Sequence, residues 1–322
     1  MKFLGSLFLG LIFISNQSHS QVINLEGEWK FHVDDKSFWS VADFDDSKWG
    51  TIHVPSPWEE EGFNGYDGFA WYRKKFDGRK LDKADNYYLG LGFIDDCDEV
   101  YLNGKLVGFS GSMPPKFKTA YNTERKYVLP SDAINFNGEN VIAIRIFDVV
   151  HGGGIIEGDI GIFRGESTKS LLVDLQGIWS FATSPSGEPI KKDATWDKLM
   201  VPQEWDQQGY ARYDGFAWYK KTFTLPAVLP DEPLVLILGK IDDFDKTYFN
   251  GVFIGTTNDH RPYGESGSFD KRRVYLIPPD LLKKGGVNTI EVLVEDMGNI
   301  GGIHDGPVGI TTRSKYNRYF EW

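Results

Sequence analysis

Two glycine-rich loops carry the residue types best suited to moving a proton. The first reads Asp148-Val149-Val150-His151-Gly152-Gly153-Gly154-Ile155-Ile156-Glu157, and the second Asp296-Met297-Gly298-Asn299-Ile300-Gly301-Gly302-Ile303-His304-Asp305. When they are aligned, His151 faces Asn299 and His304 faces Ile156, so a shared backbone requirement explains neither histidine. Each has a carboxylate nearby, and imidazole titrates close to neutrality, which suits it to general acid or base work. A second pair of loops gathers cations in an acidic chain. Phe109 to Arg125, with Lys126 beyond it, holds Lys116, Lys118 and Arg125; Thr256 to Arg273 holds His260, Arg261, Tyr263, Lys271, Arg272 and Arg273. Arginine forks suit a carboxylate or a sulfate. The candidates are therefore His151 and His304 for proton transfer, Tyr263 as an acid, and Arg125, Arg261 and Arg273 for a substrate anion. Trp71 and Trp218 are either core residues or platforms for a sugar ring. The chemistry such a set could perform is elimination at a uronate. A base takes the proton α to the carboxylate, a cation steadies the enolate-like charge, and His or Tyr protonates the departing oxygen.

The elements that must position these loops are written twice. Tyr66-Asp67-Gly68-Phe69-Ala70-Trp71-Tyr72 recurs unchanged as Tyr213-Asp214-Gly215-Phe216-Ala217-Trp218-Tyr219, which marks an internal duplication. Leu25 to Phe31 and Leu175 to Phe181 open the copies with the alternation of half-buried strands. Val54-Pro55-Ser56-Pro57-Trp58 is answered by Val201-Pro202-Gln203-Glu204-Trp205. Ile94 to Gly104 is answered by Ile241 to Gly251, each ending in an Asn-Gly hairpin signal. Strands at Val141 to Phe147 and Thr289 to Val294 run up to Asp148 and Asp296. Helical pieces are short, chiefly Pro279 to Lys284. Closely spaced strands with turn signals between them describe an all-β sandwich in each copy.

Residues identical in both copies are explained first by the fold. On that ground Trp29/Trp179 and Tyr72/Tyr219 are core, and Asp95/Asp242 and Asp98/Asp245 are turn residues. A structural calcium ion is compatible with the last four, and no catalytic metal or other cofactor is expected.

The motifs Gly-x-Trp-x-Phe, Val-Pro-x-x-Trp, Trp-Tyr-x-Lys-x-Phe (Arg73 standing at the variable position in the first copy), Asp-x-x-Tyr-x-Asn-Gly and Gly-Gly-Ile-x-x-Gly resemble the sugar-binding jelly-roll domain of glycoside hydrolase family 2. The resemblance covers nearly the whole chain, twice. It implies two tandem galactose-binding-like jelly-roll β-sandwiches and a connection to sugars. It does not imply that family's hydrolysis, because the barrel that supplies the two carboxylates has no room in 322 residues. In architecture and leader the chain also resembles secreted oligosaccharide dehydratases of flavobacterial ulvan degradation.

Composition bounds the partners. A formal net charge of −11 argues against nucleic acid and anionic membranes. Lys2, the apolar run Phe3 to Ile14 and Ser18-His19-Ser20 describe a signal peptide cleaved near Ser20, hence export to periplasm or medium. The single cysteine, Cys97, excludes an internal disulfide. The domains expected are 21–167 and 168–322, the second ending in a basic, aromatic tail over 313–322 that packs over a domain or supports a homodimer. The function expected is a carbon–oxygen lyase dehydrating a non-reducing-end uronate of an acidic oligosaccharide or polysaccharide. The alternative is a non-catalytic carbohydrate-binding protein built of two sugar-binding modules.

Overall fold

The computed structural model describes residues 21–83, 85–164, 171–191, 194–258 and 268–320. The expected leader over 1–20, the expected domain boundary at 167/168, and Arg261 and Tyr263 lie outside the described residues.

The first sandwich contains β1 (Gln21–Asn24), β2 (Gly27–Val33), β3 (Gly50–Val54), β4 (Gly68–Asp77), β5 (Tyr87–Asp95), β6 (Cys97–Leu102), β7 (Lys105–Ser110), β8 (Glu124–Leu129), β9 (Glu139–Asp148) and β10 (Gly154–Arg164). The second contains β11 (Val173–Asp174), β12 (Gly177–Thr183), β13 (Asp197–Val201), β14 (Gly215–Thr224), β15 (Leu234–Asp242), β16 (Phe244–Phe249), β17 (Val252–Thr257), β18 (Arg272–Leu276), β19 (Val287–Asp296) and β20 (Gly302–Thr312). Each sandwich pairs a four-stranded with a six-stranded sheet. The orders β1-β10-β5-β8 and β3-β2-β4-β9-β6-β7 recur as β11-β20-β15-β18 and β13-β12-β14-β19-β16-β17. The duplicated sequence has become a duplicated topology, and all the sheet pairings are antiparallel.

The cores lie between the two sheets of each sandwich. Trp29, Tyr72, Leu89, Leu91 and Ile144 are buried in the first; Trp179, Tyr219, Leu236, Leu238 and Val292 are buried in the second. Each such side chain contributes about 1.5–3 kcal/mol on leaving water. Trp29 and Trp179 also satisfy their indole N–H by donating to Leu25 O and Leu175 O, both at 2.8 Å.

The Asn-Gly pairs turn the chain as their composition demands. Asn103 and Gly104 have φ of 52° and 84°, Asn250 and Gly251 of 50° and 81°, the positive values a tight hairpin needs at both central residues. Asn103 Nδ2 then donates to Asn140 Oδ1 at 2.8 Å, and Asn250 Nδ2 to Asn288 Oδ1 at 2.9 Å. Those bonds tie the β6–β7 and β16–β17 hairpins to the strands beside them.

The tail forms the helix α1 (Arg313–Tyr319), capped by Thr312 Oγ1, which accepts from Lys315 N at 3.3 Å. Phe320 beyond it is buried, and Arg272 Nη1 donates to its carbonyl. The tail therefore packs on its own sandwich. Pro279–Leu281 is a single 3-10 turn. No helix among the described residues is long and apolar enough to cross a membrane.

The two sandwiches touch directly. Met200 on β13 belongs to the buried cluster of the first core, and Ile178 on β12 packs against it.

Candidate functional site

Three aspartates meet at one end of each sandwich. Asp95 ends β5, Asp96 follows it, and Asp148 ends β9, opposite Gly68 at the head of β4. One carboxylate oxygen from each lies within 4.8 Å of the others, and the same holds for Asp242, Asp243 and Asp296. Register fixes the meeting: Gly154 pairs with Asp95 and Gly302 with Asp242, so the glycine-rich loops fold back over the clusters. Asp96 Oδ2 accepts from Val149 N at 3.2 Å, and Asp243 Oδ2 from Met297 N at 2.9 Å. Asp148 Oδ1 accepts from Val150 N at 3.4 Å, and Asp296 Oδ1 from Gly298 N at 2.9 Å. Their second oxygens, Oδ2 of Asp148 and Oδ2 of Asp296, are buried without a partner.

Burial dominates the titration of these groups. It pushes the Asp148 and Asp296 carboxyls up to about 7. Asp95 is pushed up to about 6, by burial first and then by the charge of Asp96. Asp242 reaches about 8, through burial and then the hydrogen bond and charge of Asp243.

Arg125 and Arg273 stand behind the clusters rather than in a binding loop. Both are wholly buried. Arg125 Nε donates to Asp98 Oδ1 at 2.8 Å, Nη1 to Ala120 O and Thr123 O, and Nη2 to Asp96 O at 3.0 Å. Arg273 repeats this with Asp245 Oδ1 at 3.0 Å, Ser268 O, Lys271 O and Asp243 O. Tyr127 and Tyr275 donate to the same aspartates at 2.6 Å and 2.8 Å, and burial holds both phenols well above their ordinary range, as donors. Each guanidinium gives four of its five N–H donors to the protein's own oxygens and is wholly enclosed, so neither is open to a substrate anion. Their work is to clamp the loop and the Asp96 or Asp243 backbone. By the same bonds Asp98 and Asp245 are committed to arginine and tyrosine, so the residues free to meet a cation are Asp96, Asp148, Asp243 and Asp296 beside Asp95 and Asp242.

The tryptophans are not platforms either. Trp71 is fully buried against Trp39, stacks on Tyr101 with centroids 5.8 Å apart, and donates to Asp35 Oδ1 at 3.2 Å. Trp218 is 8% exposed and donates to Glu188 O at 3.0 Å. A sugar needs an open ring face, and neither indole offers one.

His151 is exposed in its loop at φ 74°, and His304, on β20, donates through Nε2 to Phe269 O at 3.2 Å. Phe269 O can only accept, so Nε2 carries the proton in that contact. Neither histidine lines either of the two clefts between the sandwiches.

Two clefts lie instead between the sandwiches. A cleft of about 570 Å³ runs between β8 and the edge of the second sandwich; Tyr88, Glu124, Lys126, Asp174, Gln203 and Gln207 line it. A second, of about 480 Å³, has Glu99, Phe109, Met113, Lys116, Lys198 and Tyr210 on its walls. The first carries a carboxylate on each wall, Glu124 on β8 and Asp174 on β11. Burial holds the Asp174 carboxyl above the usual carboxylate range. Lys126, half exposed, lies 3.4 Å from Glu124. Sequence reasoning named Lys126 only as part of a basic loop and missed Asp174, because nothing local shows that β11 faces β8.

With this geometry, the class is a pair of all-β sandwiches with polar clefts between them, and comparison with known proteins sharpens it. Residues 184–300 match the family described as the second all-beta domain of β-galactosidase. A putative β-glucuronidase of Formosa agariphila is 30% identical over 97 residues, 26% of this chain and 9% of that protein. The β-glucuronidase of Streptococcus agalactiae is 33% identical over 90 residues, 26% of this chain and 14% of that one. Among solved structures, a β-glucuronidase of Bacteroides uniformis aligns at 15% identity and a TM-score of 0.38, covering 87% of this chain and 27% of that one. The matched regions thus span well under a fifth of these two curated relatives. The similarity runs to all-β domains of family 2 β-glucuronidases and β-galactosidases, and it supports a carbohydrate-active role. It overturns the expected carbon–oxygen lyase. The relatives are named for glycosidase chemistry, and the elimination built on His151, His304 and Arg125 is withdrawn.

Proposed function

We propose that this chain acts in glycosidase-type breakdown of saccharides bearing uronic acid, as an exported protein whose first cleft receives the sugar. The observation that carries the reading is that cleft. It is about 570 Å³, a size suited to a small saccharide, and it is walled by both sandwiches. Gln203 and Gln207 offer amides to sugar hydroxyls, Tyr88 offers a ring, and Lys126 offers the charge a uronate carboxylate would meet. The β-glucuronidase names of the relatives supply the uronic acid.

Glycoside hydrolysis needs two carboxyl groups, one of them protonated at working pH. Asp174 fits the acid, being raised by burial, and Glu124, on the opposite wall, fits the base or nucleophile. Asp174 also accepts from Gln176 N at 2.9 Å, which orients it from within its own turn.

The test is calorimetric titration with a glucuronic-acid-terminated oligosaccharide and its neutral glucose analogue. The expected result is tighter binding of the acidic sugar, with the preference lost in Lys126→Ala. Equal affinity for both sugars, or a preference untouched by Lys126→Ala, would sink the reading.

A further inference from the structure

None of the six clustered aspartates lines either cleft, and the proposed sugar site makes no use of them. Each is a concentration of carboxylates that folding should avoid. Asp96 and Asp148 are 6% and 0% exposed, Asp243 and Asp296 6% and 2%. Taking carboxylates out of water costs several kcal/mol each unless a countercharge or hydrogen-bond donors replace the water. The nearby arginines offset this only in part, because Arg125 and Arg273 give their hydrogen bonds to Asp98, Asp245 and backbone carbonyls and to none of the six cluster carboxylates. Backbone amides satisfy one oxygen of Asp148 and one of Asp296. The other, Oδ2 in both, is fully enclosed and has no partner. That orphan recurs in copies whose surrounding loops differ: Val149, Val150 and His151 in one stand where Met297, Gly298 and Asn299 stand in the other. A defect of one loop would not be repeated in this way.

We infer that each sandwich holds one divalent cation, calcium by preference, between its three aspartates: Asp95, Asp96 and Asp148 in the first, Asp242, Asp243 and Asp296 in the second. The donors are all oxygen, with neither nitrogen nor sulfur, which selects a hard cation over zinc or copper. Ligand number then favours calcium. Ca²⁺ accepts several protein carboxylates in a flexible shell, whereas Mg²⁺ is usually held through one or two and keeps most of its waters. Each cluster brings one oxygen from each of three carboxylates within 4.8 Å of the others. Three carboxylates do not complete a calcium shell, so water supplies the remainder.

The ion would act on the loops. Asp96 and Asp148 already hold the amides of Val149 and Val150, and Asp243 and Asp296 those of Met297 and Gly298. A cation drawing those carboxylates together fixes the start of each glycine-rich loop, including the exposed apolar residues Val149, Val150, Met297 and Ile300.

The experiment uses the purified chain, stripped with a chelator and titrated with calcium by calorimetry, with thermal melts alongside. The expected result is two equivalents bound per chain, saturating below about 1 mM as in extracellular calcium modules, with an upward shift in Tm. Asp148→Asn should bind one equivalent, Asp296→Asn one, and the double variant none, while circular dichroism stays that of a β protein. Should either variant not fold, terbium luminescence sensitised by the neighbouring aromatic residues, competed by calcium, reads occupancy in the unaltered chain. Absence of heat, of a Tm shift and of calcium-competed terbium emission would overturn the inference, as would two equivalents bound by a folded double variant.

Discussion

The two sandwiches have diverged on their outer faces and kept what they bury at one end. In the first, Trp39, Trp49 and Trp71 form a separate aromatic cluster on the outer side of the six-stranded sheet. Arg73, buried beside it, donates to Asp46 Oδ2 at 2.8 Å and to the carbonyl of Val41 at 3.0 Å. The second has Lys220 at the position of Arg73 and Leu293 at that of Arg145; Trp196 and Trp218 keep the places of Trp49 and Trp71, but among the described residues they form no separate buried cluster. The Arg-Asp-Tyr clamp and the three aspartates nevertheless persist in both. An apolar cluster can be trimmed gradually, because each lost contact costs only its own area. A buried polar network cannot, because removing one member leaves the others desolvated and unpaired.

The largest effects should come from breaking the shared clamp. Arg125→Leu leaves Asp98 buried without its cation, and Arg273→Leu does the same to Asp245. Each should cost about 3–5 kcal/mol in urea denaturation. Similar costs in the two copies are expected; a loss under 1 kcal/mol in either would mean the clamp is not what that sandwich retains.

The unshared cluster should separate the copies. Trp71→Ala removes an indole packed among other aromatics and should cost about 3–5 kcal/mol. Trp218→Ala, at the sheet position without the cluster, should cost about 2 kcal/mol less, because its cavity opens closer to solvent. Equal losses would contradict the comparison.

A smaller effect tests the junction. Lys74 and Lys221 occupy equivalent places, donating to Glu28 O and to Ile178 O at 2.6 Å and 2.8 Å. Contact between the sandwiches buries Lys221 further, and burial pulls its ammonium down to about 8. A lysine lowered in the folded state binds its proton less well there than in the unfolded chain. Stability therefore rises as pH climbs from about 8 toward the ordinary lysine value, and the cost of burying the charge is carried in full below about 8. Lys221→Met should stabilise the protein by about 1–2 kcal/mol at pH 7, with the gain fading above pH 10. Lys74→Met should change little. Denaturation at the two pH values reads both.

The duplication, the all-β sandwiches and the Asn-Gly hairpins were legible because they depend on local signals: an exact repeat, strand alternation and turn residues with positive φ. The sites were less so. Arg125 and Arg273 read as partners for a substrate anion because a basic loop residue looks the same in sequence whether it faces a ligand or an interior aspartate. Trp71 and Trp218 carried no signal to decide between core and platform. Asp148 and Asp296 were visible as the last residue of matching strands. Attributing every identical residue to the fold drew attention away from three carboxylates that must share one place. Asp174 was hidden for a different reason, since its cleft exists only when two sandwiches are packed together. The tail likewise showed its charge and aromatic residues but not the threonine cap that starts a helix.

The central claim is glycosidase-type chemistry at the cleft, and mass spectrometry of products tests it most directly. The protein is incubated with a β-glucuronide oligosaccharide, beside Glu124→Gln and Asp174→Asn. Release of free glucuronic acid with uptake of one water, strongly reduced in both variants, is the predicted result. An intact saccharide, hydrolysis indifferent to both substitutions, or a product lighter by one water would contradict it.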